Sequence, residues 1–248
     1  MKIGIITAMP EETQSIVRSV GDTQKTLTNG FCLRRGSVAG HEILIVEAGM
    51  GFNNATAAAE KLVQEARPDL IVSAGFCGGI SAGLRVGDVV VATALTIVSG
   101  RVLEDVPVEM AEACRKLVAQ RAGSGGRFFG GLFVSTATIM QKAQLSALLP
   151  SGSPCPVVEM ESAAIARVAK ANGIPFAGIR SVSDPFDEEL GFALDEFCDD
   201  RMRIRIPRVL LAIARKPRII PQLFRLARNS RIAAGSLSRA MRELLAAL

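Results

Sequence analysis

Apolar runs of four to eight residues alternate with longer amphipathic runs through the first 182 residues, and this alternation restricts the fold more than any other feature. The apolar runs lie at 2–7, 42–47, 70–74, 88–95, 131–135, 157–160 and 176–182. Between them, 53–65, 108–120, 142–149 and 161–171 carry helical spacing; in the first of these Ala57, Leu62 and Val63 share a face. Strands that are apolar on both faces and alternate with helices imply a sheet covered on both sides and largely parallel. The expected fold is therefore α/β, a three-layer, mixed but largely parallel sheet flanked by helices, in one domain over residues 1–200. The stretch 123–126, Gly-Ser-Gly-Gly, reads as a loop between a helix and a strand.

Composition narrows the chemistry. With 49% hydrophobic and 21% charged residues in 248, the chain has ample material for a core and is not of the disordered class. Its five cysteines (Cys32, Cys77, Cys114, Cys155, Cys198) are odd in number and form no CxxC pair, so they read as reduced thiols. A single histidine, His41, leaves almost nothing for a Ser-His-Asp triad or a multi-histidine metal site, and neither metal nor cofactor is expected. No run is long and apolar enough for a spanning helix. The N-terminus enters a strand pattern directly, without a signal-peptide layout, which points to a cytoplasmic protein.

Beyond residue 200 the strand signals stop. Residues 201–248 hold 12 Arg or Lys and one acid, Glu243, whereas 1–200 hold 17 basic and 23 acidic residues. The basic character therefore belongs to a helical C-terminal extension, 201–248, and points to an anionic partner surface. Three short helices are expected there, at 208–215, 222–231 and 236–248, split by Pro217, Pro221 and Gly235. Leu237, Met241, Leu244 and Leu248 fall on one face of the last.

Three segments carry the candidate chemistry. The strand 2–7 runs into Ala8-Met9-Pro10-Glu11-Glu12 and delivers two carboxylates. Ser73-Ala74-Gly75-Phe76-Cys77-Gly78-Gly79-Ile80 reads as a buried strand opening into a Gly-rich turn. Val158-Glu159-Met160-Glu161-Ser162-Ala163-Ala164 ends a strand in acids at a helix start, and Ile179-Arg180-Ser181-Val182-Ser183-Asp184 ends the next in an aspartate. Singly, each has an ordinary reading: Glu11 as a helix-dipole partner, Gly75, Gly78 and Gly79 as turn glycines, Asp184 as a turn former before Pro185. Together they place polar groups at the carboxyl edge of a parallel sheet, where such folds bind ligands.

In this order and spacing, over residues 1–200, the chain resembles the nucleoside phosphorylase/nucleosidase superfamily, and within it the methylthioadenosine/S-adenosylhomocysteine nucleosidase branch. The Val-Glu-Met-Glu-Ser-Ala-Ala stretch and the Arg-x-x-Ser-Asp strand end are its most specific marks. The resemblance implies that Glu12 activates the attacking water, that Met160 and Glu161 contact the ribose, and that Asp184 promotes protonation of purine N7. It implies that Arg180 orients the Glu161 or Asp184 carboxylate, and that Gly78 lies in the loop beneath the ribose and the nucleophile. The implied partner is a purine ribonucleoside, in a homodimer or higher homo-oligomer, with no cofactor. Such chemistry suits these residue types: an oxocarbenium-like sugar is stabilised by carboxylates, the leaving purine needs an acid, and water needs a base.

Phe76 and Cys77 stand where that family has small or hydroxyl residues, and Ile139 replaces its base-stacking aromatic, with Met140 beside it. The pocket so built is bulkier and less polar than one made for methylthioadenosine; N-ribosyl cleavage itself is unaffected. Cys77 has no histidine near it in sequence and reads as a buried thiol rather than a nucleophile. Glu11 and Glu12 would repel phosphate, strand 70–74 has no arginine, and Arg34 and Arg35 fit a solvated strand edge, so water is favoured over phosphate as nucleophile.

For the extension two readings stand beside each other: a helix packed on the body with its arginines in solvent, or a segment at an anionic membrane surface, peripheral to the inner face. Nucleic acid is not expected, since no aromatic residues are interleaved for stacking. Hopanoid-associated members of the superfamily resemble this layout, which implies adenosylhopane as a lipid-linked substrate. A phosphate-dependent phosphorylase, a futalosine-type hydrolase and a non-catalytic nucleoside-binding protein are the alternatives. With every candidate acid before residue 185, truncation from residue 222 is expected to spare cleavage.

Overall fold

The computed structural model describes residues 1–28, 31–121, 127–187 and 216–248. The expected loop at 123–126, the helix at 208–215 and Cys198 lie outside them. Within them the chain is an α/β protein built on one ten-stranded mixed sheet.

The strands are β1 (Lys2–Thr7), β2 (Thr23–Thr28), β3 (Phe31–Val38), β4 (His41–Glu47), β5 (Leu70–Gly79), β6 (Val89–Ser99), β7 (Val102–Asp105), β8 (Phe128–Thr136), β9 (Val157–Glu159) and β10 (Phe176–Asp184). The helices are α1 (Pro10–Val20), α2 (Phe52–Ala66), α3 (Glu112–Arg121), α4 (Lys142–Leu148), α5 (Ser162–Ala171) and α6 (Ile220–Ala246). β1 pairs in parallel with β4 and β5, β5 with β10, and β8 with β6 and β9. β10 also pairs antiparallel with β6, and β5 with β9, so β5, β10, β6, β8 and β9 close into a ring. The ring brings the carboxyl ends of β5 and β10 against β9.

Helices cover both faces. Ala55, Ala58, Ala59 and Leu62 of α2 and Ala163–Ala166 of α5 pack on one face with Ile71, Phe133 and Val182. α1, α3 and α6 pack on the other, against Val72, Ala74 and Ile179. The alanines of α2 and α5 let these helices lie close to the strands.

The C-terminal helix differs from its expected form. It is continuous through Gly235, from Ile220 to Ala246, because burial of Ala233, Ala234, Leu237 and Ala240 outweighs the ~1 kcal/mol that glycine costs inside a helix. Leu237, Met241 and Leu244 are each fully buried in the core shared with α1 and β10. Ser19 of α1 also donates its hydroxyl to the Ser238 carbonyl at 2.9 Å. The second half of α6 is thus a layer of the body, so truncation from residue 222 would remove part of the core along with the basic residues. Among the described residues no helix is long and apolar enough to cross a membrane.

Candidate active site

Where β1 ends at Thr7 the chain turns into α1, with Pro10 in its first turn and Glu12 at its third residue. Glu12 folds back on the turn: Oε2 accepts from the Ala8 and Met9 N–H groups at 2.8 and 2.9 Å, and Oε1 accepts from Phe76 N–H on β5 at 2.8 Å. The side chain lies on Gly75, where a Cβ would come within 2.6 Å of Oε1. Burial pushes the Glu12 carboxyl above its ordinary value, against the opposing pull of Arg180 and the three N–H groups. A carboxylate with a raised proton affinity is a better base.

β9 ends in a second carboxylate cluster. Glu159 Oε2 accepts from Arg180 Nη2 at 2.7 Å and from the N–H groups of Glu161 and Ser162 at 3.0 and 2.7 Å; Oε1 accepts from the Ser135 hydroxyl. Arg180, 2% exposed, also donates to the hydroxyls of Ser73 and Ser162, each at 3.0 Å. Glu161 caps the start of α5; its Oε1 accepts from Gly51 N–H at 2.9 Å and its Oε2 stands 3.8 Å from Arg180 Nη2. Burial, then the neighbouring Glu159, raises the Glu161 carboxyl to about 7, with Arg180 opposing and Glu12 adding to the rise.

At the end of β10 the register slips between Val182 and Asp184, which sets Asp184 opposite Gly78. Asp184 Oδ1 accepts from the Ser183 hydroxyl at 2.8 Å and Oδ2 pairs with Lys142 Nζ at 2.7 Å. A Cβ on Gly78 would come within 2.7 Å of Oδ2. Gly75 and Gly78 of β5 thus lie against the carboxyl groups of Glu12 and Asp184 respectively. Between them the Cys77 thiol feels Arg180, Asp184, Glu159 and Lys142, and burial pushes it well above its ordinary value. That is the state of an inert thiol, not of a nucleophile.

The sequence profile of the phosphorylase superfamily matches residues 2–215. The chain belongs to the phosphorylase superfamily. A 5′-methylthioadenosine/S-adenosylhomocysteine nucleosidase from Actinobacillus succinogenes is 31% identical over 215 residues, covering 79% of this chain and 91% of its own. Two solved structures share the fold. The 5′-methylthioadenosine/S-adenosylhomocysteine nucleosidase of Neisseria meningitidis, in complex with methylthio-immucillin-A, superposes with a TM-score of 0.73 at 20% identity, over 100% of this chain and 99% of that one. The futalosine hydrolase of Helicobacter pylori gives 0.74 at 18% identity, over 100% and 98%.

In this phosphorylase-superfamily chain several expected placements shift. Gly78 is not in a loop: the whole segment Leu70–Gly79 is strand, and its glycines are there for space rather than for turning. Arg180 serves Glu159 and, at longer range, Glu161, whereas the cation at Asp184 is Lys142. Phe76 turns its ring into the core beside Val72 and Ala74, so its part in the site is its backbone N–H and not pocket bulk. Met160 is half-buried between the two glutamates. Ile139 is 53% exposed and Met140 packs partly against Leu145 and Val134, both in the segment that leads into Lys142. Glu11 is exposed in the first turn of α1, as its dipole reading requires.

Sequence reasoning passed over Glu159 and Lys142. Glu159 stands in the motif already singled out, two residues before Glu161. Lys142 had one signal: a cation at the start of a helix opposes the helix dipole and asks for a partner.

The raised Glu161 carboxyl has a measurable consequence. On the ribose contact expected of Glu161, a sugar hydroxyl donates best to the ionised form, so nucleoside KM should fall as pH rises through about 7. Stability runs the other way. A carboxyl that binds its proton more tightly when folded favours the folded state below its folded value, so the ligand-free melting midpoint should decline between about pH 5 and 7. Glu161→Gln should flatten both trends and, losing a charge-assisted contact worth ~1.5–3 kcal/mol, lower kcat/KM by about 10- to 100-fold. Unchanged pH trends in that variant would show that another group carries them.

Proposed function

We propose that this protein is an N-ribosyl hydrolase that releases adenine from a ribonucleoside by attack of water. Glu12 takes the proton of that water as it closes on C1′, and Asp184 delivers a proton to N7 of the departing base. Met160 and Glu161 hold the ribose, Arg180 keeps Glu159 and Glu161 in place, Gly78 leaves room beneath the ligand, and Ile139 and Met140 lie on the base side. The methylthioadenosine/S-adenosylhomocysteine nucleosidase at 31% identity supports adenine as the base.

The observation that carries water over phosphate is at Glu12. A phosphate site needs backbone N–H groups and cations turned toward the anion. Here the N–H groups of Ala8, Met9 and Phe76 are occupied by the protein's own carboxylate, and the cation acting on it, Arg180, is held by Glu159. The test is adenine release from a panel of adenine nucleosides with and without phosphate, with the sugar product identified.

For the 5′ group we favour a lipid-linked nucleoside such as adenosylhopane, met at an anionic membrane surface. Supporting this, Phe224, Arg228 and Ile232 recur at four-residue spacing along the first half of α6, and Phe224 and Ile232 are 74% and 41% exposed, with Arg231 beside them. The division into a catalytic body, 1–200, and a basic extension, 201–248, belongs to the same reading, with the second half of α6 sealing the sheet. Each basic residue near an anionic surface contributes ~1 kcal/mol. Arg228→Gln with Arg231→Gln should therefore lower co-sedimentation with phosphatidylserine-containing liposomes by about thirtyfold in partition, and leave cleavage of a short soluble nucleoside intact. Equal sedimentation of variant and parent would remove the membrane part of the proposal.

A further inference from the structure

We infer that Lys142 is a positioning residue that sets the aim of Asp184; the inference rests on the reading of Asp184 as the acid that serves the leaving base. Lys142 opens α4, yet its side chain is only 9% exposed. Among the described residues its ammonium meets the Asp184 carbonyl at 3.2 Å, the Pro185 carbonyl at 2.7 Å and Asp184 Oδ2 at 2.7 Å. Asp184 Oδ1 takes the Ser183 hydroxyl, so both carboxylate oxygens are fixed from the protein side.

Space is cleared for this pair. The Cβ that any residue but glycine would place at 78 lies 2.7 Å from Asp184 Oδ2 and 3.1 Å from Lys142 Cε. A buried ammonium at a helix start opposes the helix dipole and loses hydration, so it stabilises the site only through its partners. Those partners are the last residue of β10 and the first beyond it. The pair therefore ties the chain around Asp184 to the segment 139–141, which the proposed function places on the base.

With its carboxylate held from both sides, Asp184 keeps one orientation toward the base while the C1′–N bond breaks, where a displacement of ~1 Å is costly.

The decisive variants are Lys142→Gln, which keeps a donor and removes the charge, and Lys142→Arg, which keeps the charge. Melting midpoints show whether each is folded. With 5′-methylthioadenosine as substrate, Lys142→Gln should lower kcat by up to ~10²-fold, the scale of a ~1 Å misplacement, with KM little changed. Lys142→Arg, which can still pair with Asp184 and the two carbonyls, should recover most of that loss. A Lys142→Gln kcat equal to the parent's overturns the inference and leaves the nucleosidase reading standing. If Lys142→Gln does not fold, a folded Lys142→Arg that loses kcat tenfold or more overturns it equally. A parent protein that neither releases adenine nor binds it in a calorimetric titration overturns the nucleosidase reading and the inference with it.

Discussion

Glu12→Gln is expected to lower the rate of adenine release by ~10²–10⁴-fold, the usual worth of a positioned acid–base group. The amide keeps the shape of the side chain but cannot take a proton from water. It also meets three backbone N–H donors, from Ala8, Met9 and Phe76, with one carbonyl oxygen where the carboxylate had two. Nucleoside affinity should change far less than kcat, because the ribose contacts are assigned to Met160 and Glu161. Asp184→Asn should cost a similar factor, since an amide relays no proton to N7. Steady-state kinetics on the folded variants check both. Full activity in either one would remove that residue from the mechanism.

Leu237→Ala is expected to have the largest effect on stability. Leu237 is fully buried, with Met241 one helical turn on, in the core that α6 shares with α1 and β10. Truncating a buried leucine or methionine costs about 2–5 kcal/mol. At ~2–4 °C per kcal/mol for a chain of this size, the melting midpoint should fall by roughly 4–20 °C for Leu237→Ala, and further with Met241→Ala. Thermal unfolding followed by circular dichroism measures this. A shift of under a degree would mean that the helix leaves the body without consequence.

These positions also show what was legible in the sequence. The strands at β1, β4, β8 and β9 were readable because burial on both faces leaves unbroken apolar runs. Glu12, Glu161 and Asp184 follow or end β1, β9 and β10, and Arg180 lies within β10, so the strand pattern brought them to one region of the sheet, while their expected roles came from the resemblance. The hairpin strands β2 and β7 were not: Thr23–Thr28 and Val102–Asp105 are largely exposed, so no apolar run marks them. Closure of the ring was hidden because the pairing of β10 with β5 joins residues about a hundred apart. Gly75 and Gly78 were misread as turn residues, since glycine signals conformation and lack of bulk alike and only the neighbouring carboxylates decide. Lys142 did not stand out because its partner, Asp184, lies at the end of a distant strand. The stripe at Leu237, Met241 and Leu244 was visible, but whether it faced the body, a partner or a lipid depended on what lay opposite.

The proposal that water and not phosphate attacks the nucleoside rests on Glu12, whose carboxylate takes the N–H groups of Ala8, Met9 and Phe76. The most direct test follows adenine release from 5′-methylthioadenosine in phosphate-free buffer and with phosphate added, and identifies the sugar product. The account predicts the same rate in both and free 5-methylthioribose as the product. Turnover that requires phosphate and yields 5-methylthioribose 1-phosphate would contradict it.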